Sequence, residues 1–148
     1  MKTIFAFFLL LGQVTLARPG QAQPGQVANY STGKPGTDGY EEFSFWVRNN
    51  TASTISYVYG RDRKEAKVKY LGKSSLNGKP AFKLGLPNGV TLYAVPLDIT
   101  LMITDRPGKY VKRFSWQYEG PVNGVGTFCQ PCAPDERSAM RLLKGYYL

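Results

Sequence analysis

The chain has 148 residues, 43 % of them apolar, with 19 Lys and Arg against 10 Asp and Glu. Those proportions describe one small folded domain, not a disordered or fibrous chain. The absence of histidine excludes His-dependent triads, imidazole acid–base catalysis, imidazole metal ligation and C-x-x-C-H haem attachment.

Lys2 precedes an unbroken apolar run from Ile4 to Leu11, and Thr15-Leu16-Ala17 places small residues at the last and third-last positions of a cleavage site. Residues 1–17 are therefore expected to be a secretory signal peptide, with a second cut possible after Ala22. The run is too short for the roughly 20 residues of a spanning helix, and no later segment is longer, so the mature chain is expected to lack a transmembrane span. The expected location is secreted or extracytoplasmic: periplasm, cell envelope or extracellular space. From Arg18 to Gly39, Pro-Gly pairs at 19–20, 24–25 and 35–36 sit among Gln, Ser and Thr. This stretch is expected to be a flexible leader, because it carries too little apolar surface to offset the entropy of ordering. Residues 40–148 are then a single β domain.

Period-two alternation recurs through that domain, the mark of strands with one buried face. Phe43, Phe45 and Val47 alternate with Glu42, Ser44, Trp46 and Arg48, and Ile55, Tyr57 and Tyr59 with Thr54, Ser56 and Val58. Ala66, Val68 and Tyr70 oppose Lys67 and Lys69; Phe82, Leu84 and Leu86 oppose Lys83. Leu97, Ile99, Leu101 and Ile103 form the next apolar row, and Tyr110, Phe114, Trp116 and Tyr118 the last. Lys112 falls on the apolar side of that last row, as an inward charge on an edge strand or the mark of a bulge. Pro87-Asn88-Gly89 and Asp105-Arg106-Pro107-Gly108 are hairpin turns. The expected fold class is all-β, mainly antiparallel: a small sandwich or barrel of about seven strands. A short C-terminal helix should start at Pro134 and Asp135, bury Met140 and Leu143, and stop at Gly145.

Between Arg61 and Arg113 lie twelve basic residues and four acids, an excess of eight positive charges. An exported protein with that field is attracted to polyanions such as acidic polysaccharide, lipid headgroups or extracellular nucleic acid. The expected function is a binding or interaction module for an anionic partner, which could itself be a protein. Candidate binding residues are Arg61, Arg63, Lys64, Lys67, Lys69 and Lys83, with Trp46 and Tyr93 as stacking surfaces. The same Lys positions also serve solubility and edge protection. No dedicated nucleic-acid motif occurs.

The two cysteines form Cys129-Gln130-Pro131-Cys132. In an exported chain the pair is expected to be an oxidised disulfide that fixes the turn into the terminal helix. Over these four residues the string resembles the active-site dithiol of thioredoxin-like oxidoreductases, which implies thiol–disulfide exchange as an alternative function. A third reading is a structural or assembly protein of the cell envelope, recruiting neighbours through the leader or a bare sheet edge. No cofactor and no metal are expected, since zinc wants four ligands and two thiols are on offer. No catalytic residue is assigned. Adjacent Glu41 and Glu42 point to opposite sides of a strand and cannot share one bond. Asn29-Tyr30-Ser31 and Asn49-Asn50-Thr51 are glycosylation acceptors if the host modifies secreted chains.

Overall fold

A computed structural model of the chain describes residues 25–117 and 131–148. The expected signal peptide, the leader as far as residue 24, Tyr118 and Cys129 lie outside the described residues.

Eight strands follow one another: β1 (Gln26–Thr32), β2 (Glu41–Arg48), β3 (Thr51–Tyr59), β4 (Lys64–Leu76), β5 (Lys79–Gly85), β6 (Thr91–Pro96), β7 (Thr100–Thr104) and β8 (Val111–Trp116). Each pairs antiparallel with the next, and β8 pairs with β1 to close a barrel. The all-β, mainly antiparallel reading therefore holds, and the choice between sandwich and barrel falls to the barrel.

The segment expected to be a leader is corrected in part, because residues 26–32 form β1. Its Val27, Ala28 and Tyr30 are 2 % exposed or less. Two apolar residues and one ring are little to read from sequence, but β1 joins a sheet whose other strands supply the rest of the core. Closure also relies on bending. Register shifts occur in β2 between Phe45 and Val47 and in β4 between Tyr70 and Lys73, and such bulges raise local twist. β4 is long enough to serve two neighbours, pairing with β3 through Lys64–Val68 and with β5 through Lys69–Leu76. Two hairpins turn on consecutive residues at positive φ: Asn49 and Asn50, at 50° and 55°, and Asn77 and Gly78, at 50° and 74°. That geometry matches the right-handed twist of the strands it joins.

One parity of every strand faces inward. Phe43, Phe45, Ile55, Phe82, Leu84, Leu101, Ile103 and Phe114 are fully buried there. Phe45 sits at the centre, with edge-on contacts to Phe82 at 5.7 Å and Tyr147 at 5.6 Å between ring centroids. A barrel of this size is filled by its own side chains or encloses one small ligand.

The helix α1 (Glu136–Tyr146) starts as expected at Asp135, whose carboxylate accepts the Ser138 N–H and caps the first turn. It continues through Gly145, the residue expected to stop it, and ends where the Tyr147 N–H bonds Leu143 O. α1 meets β1, β2 and β6. Since β6 is not adjacent to the other two in the ring, the helix lies across one end of the barrel, where β1, β3, β5 and β7 begin. Ala139, Met140, Leu142 and Leu143 join the barrel core. Tyr147 is the plug: it is wholly buried, its hydroxyl donates to Trp46 O at 2.6 Å, and its carbonyl accepts from Tyr70 Oη at 2.9 Å.

Candidate functional site: a basic outer wall and a charged barrel mouth

Strand alternation places Lys67 and Lys69 on the outer face of β4 and Lys83 on the outer face of the neighbouring β5. Lys69 stands opposite Gly85, over which the Leu71 side chain lies, and Lys83 stands opposite Tyr93 on β6. These three lysines thus form one group on adjoining strands. None is in an ion pair among the described residues; Glu65 begins the same row on β4 and is exposed.

Arg61, Arg63 and Lys64 are placed differently, at the β3–β4 turn on the open end of the barrel. Arg61 reaches Asp38 at 3.4 Å, with both side chains largely exposed, a pairing worth little in water. Arg63 donates to Glu42 at 3.4 Å and lies 5.4 Å above the Tyr40 ring. Tyr40 also donates to the buried Glu42 carboxylate, and its hydroxyl pKa is pushed up to about 12, by burial first and then by that hydrogen bond. Lys64 is exposed.

The two aromatic candidates do not join this group as expected. Tyr93 is beside Lys83, but it is 8 % exposed and Arg106 lies 5.8 Å above its ring, so its face is not presented for stacking. Trp46 is on β2, four strands from β6 in a ring of eight, and so on the opposite side of the barrel. Arg48 covers it at 5.2 Å.

A second cluster lies inside the open end. Glu41 shares the inward parity of Phe43 and Phe45 and is 8 % exposed. Lys112, on the inward parity of β8, donates to one carboxylate oxygen, and the Tyr110 hydroxyl donates to the other. Burial, followed by that hydrogen bond to Glu41, holds the Tyr110 phenol above its ordinary range. Tyr57 is raised by burial first and by the Glu41 charge second; it stacks on Phe43 at 4.4 Å and on Tyr59 at 5.1 Å. Lys112 thus marks neither an edge nor a bulge: the barrel has no edge there, β8 pairs in regular register, and the inward ammonium is matched by Glu41. The sequence carries the signal as two opposite charges on apolar parities. It does not show that β2 and β8, separated by β1 alone, bring them together.

Cys132 lies where the barrel closes. Val27 pairs with it in a parallel bridge below the short β1–β8 ladder, and Asn29 Nδ2 donates to its sulfur at 3.5 Å. Cys132 is not a free thiol; the expected partner, Cys129, lies outside the described residues. Three residues, 133–135, separate Cys132 from α1. Of the two glycosylation sequons, Asn29 is buried and Asn49 exposed. Among the described residues no three thiol or carboxylate side chains gather as a metal site, and no helix is long and apolar enough to cross a membrane. Comparison of the chain with family models, with curated proteins and with solved structures gives no match.

Proposed function

We propose that the protein is a binding module for a polyanion, exported from the cytoplasm and disulfide-clipped at Cys129 and Cys132, which recruits its partner through the outer wall of β4 and β5. The observation that carries this reading is the grouping of Lys67, Lys69 and Lys83 on adjoining strands, with no ion pair among the described residues to consume their charge. Ammonium groups on neighbouring strands can meet successive sulfates, phosphates or carboxylates of one polymer, each displacing a condensed counterion. Arg61, Arg63 and Lys64 extend the field toward the open end.

Thiol–disulfide exchange is less well supported. Three residues separate the motif from α1, and among the described residues the strands pair antiparallel with no βαβ unit to present it. Recruitment through a bare sheet edge loses its basis in a closed barrel.

The test is retention on immobilised dextran sulfate across a salt series. The wild type is expected to elute progressively earlier as salt rises, and the triple variant Lys67→Gln/Lys69→Gln/Lys83→Gln earlier still at every salt concentration. Salt-independent retention, or a triple variant indistinguishable from wild type, overturns the reading.

A further inference from the structure

Among the described residues the exposed large hydrophobic side chains are unevenly placed. Tyr59, Leu71, Val90 and Val111 are 39 %, 45 %, 42 % and 55 % exposed. Tyr59 is the last residue of β3, Val111 the first of β8, and Val90 immediately precedes β6. Leu71 lies against Gly85, the last residue of β5, so closely that a Cβ there would come within 3.1 Å of its Cδ1. All these strand ends belong to the open end of the barrel, opposite α1. Single exposed apolar residues are ordinary on any surface; four gathered at one end, with the other end sealed, are not a scatter.

Cations surround them. Arg61, Arg63 and Lys64 follow Tyr59 directly, Arg106 and Lys109 occupy the turn before Val111, and Lys69 and Lys83 flank Leu71. The acids at the rim of this end are Asp38, Asp62, Glu65 and Asp105, with Glu41 and Glu42 buried beneath them; Asp38 is paired with Arg61, Glu42 with Arg63 and Glu41 with Lys112. A dissolved polysaccharide makes no use of apolar tips. An anionic lipid surface uses both parts: side chains enter the headgroup boundary while Lys and Arg meet the phosphates. A tyrosine at the rim fits the same boundary, with its ring inward and its hydroxyl in water.

We propose that the polyanion is an anionic phospholipid surface, docked by the open end of the barrel, with Tyr59, Leu71, Val90 and Val111 entering the headgroup layer and the flanking cations holding the phosphates. This rests on the polyanion reading above and names its partner: the β4–β5 wall reaches the open end at Lys69 and Gly85, so wall and rim form one continuous surface.

The experiment is co-sedimentation of the full chain with vesicles of phosphatidylcholine alone and of phosphatidylcholine with about one third phosphatidylserine, alongside binding to soluble dextran sulfate. The variants are Val90→Ser/Val111→Ser and, separately, Leu71→Ser, each checked for an unchanged far-ultraviolet spectrum. Expected are binding to the anionic vesicles only, a loss of about fivefold or more in Val90→Ser/Val111→Ser, and unchanged binding of that variant to dextran sulfate. Leu71→Ser should lose vesicle affinity in the same direction if the double variant fails to fold. Binding to dextran sulfate without binding to anionic vesicles overturns the membrane assignment and leaves the polyanion reading standing. Vesicle binding unaffected by either variant overturns the insertion of these side chains. Binding to neither probe overturns both.

Discussion

Replacing Lys112 with methionine removes the ammonium that faces Glu41 while keeping most of the apolar stem. The carboxylate it leaves behind is 8 % exposed, within a cage of Tyr57, Tyr59 and Tyr110. Removing one partner of a fully buried ion pair costs about 3–5 kcal/mol, because the other charge stays desolvated. Here the Lys112 side chain is 38 % exposed, so water already screens the pair, and Tyr110 still donates to Glu41. We therefore expect a loss of about 2 kcal/mol, or a fall in melting temperature of roughly 8–12 °C for a domain of this size. The double variant Glu41→Gln/Lys112→Met keeps an acceptor for the Tyr110 hydroxyl and removes both charges. It should lie within about 1 kcal/mol of wild type. The assay is urea unfolding of all four members of the cycle at pH 7, followed by tyrosine and tryptophan fluorescence with constant m. A Lys112→Met variant within about 0.5 kcal/mol of wild type, or a double variant as unstable as the sum of the singles, refutes the reasoning.

Three further outcomes follow from the same structure. Tyr30, Tyr40, Tyr57, Tyr110 and Tyr147 all hold their protons above the ordinary value of 10.0. The unfolded chain therefore loses these protons first, so their contribution to stability is complete below pH 10 and declines as pH climbs toward and beyond the Tyr40 value of about 12. Phenolate absorbance at these sites should rise together with loss of the β spectrum, and ionisation of these five tyrosines at about pH 10 with the fold intact would contradict this. Gly33→Ala should be destabilising, because φ there is +75° and a Cβ would come within 2.3 Å of Gly39 O; thermal melts should show a loss of more than about 1 kcal/mol, whereas Gly36→Ala, at φ +80° with open space around it, should cost less. Tyr147→Phe keeps the ring of the plug and leaves Trp46 O without its donor, so a loss of about 1–2 kcal/mol in chemical denaturation is expected.

Strand identity from β2 onward was legible because burial on one face of a pleated strand writes itself as alternation. Phe43/Phe45, Ile55/Tyr57 and Leu101/Ile103 all face inward as that rule requires. β1 was hidden for the opposite reason: Tyr30 is its one large side chain, Gly25 precedes it and Gly33 follows it, and its place depends on two partners distant in sequence. Closure was hidden as well, since it rests on the β1–β8 pairing and on bulges that period-two reading treats as noise. Parity alone put Lys67, Lys69 and Lys83 outside, and only register could show that they share one wall. Parity could also say that Trp46 and Tyr93 leave the core, but not that Arg48 and Arg106 cover their rings. The Glu41–Lys112 pair was half-legible: Lys112 was conspicuous on an apolar row, while its partner needed the ring order of the strands.

The central claim is that the charge on the β4–β5 wall, and not net charge alone, does the binding. It is tested most directly by the salt dependence of affinity for dextran sulfate in two variants of equal charge. In Lys67→Gln/Lys69→Gln/Lys83→Gln the loss falls on the wall; in Arg137→Gln/Arg141→Gln/Lys144→Gln it falls on exposed positions of the helix at the closed end. By analogy with nucleic acid, where each contact contributes about 0.7–0.9 to the slope of log affinity against log salt, the wall variant should lose about 2 from that slope. The helix variant should keep the slope of the wild type. Equal losses in the two variants would contradict the account.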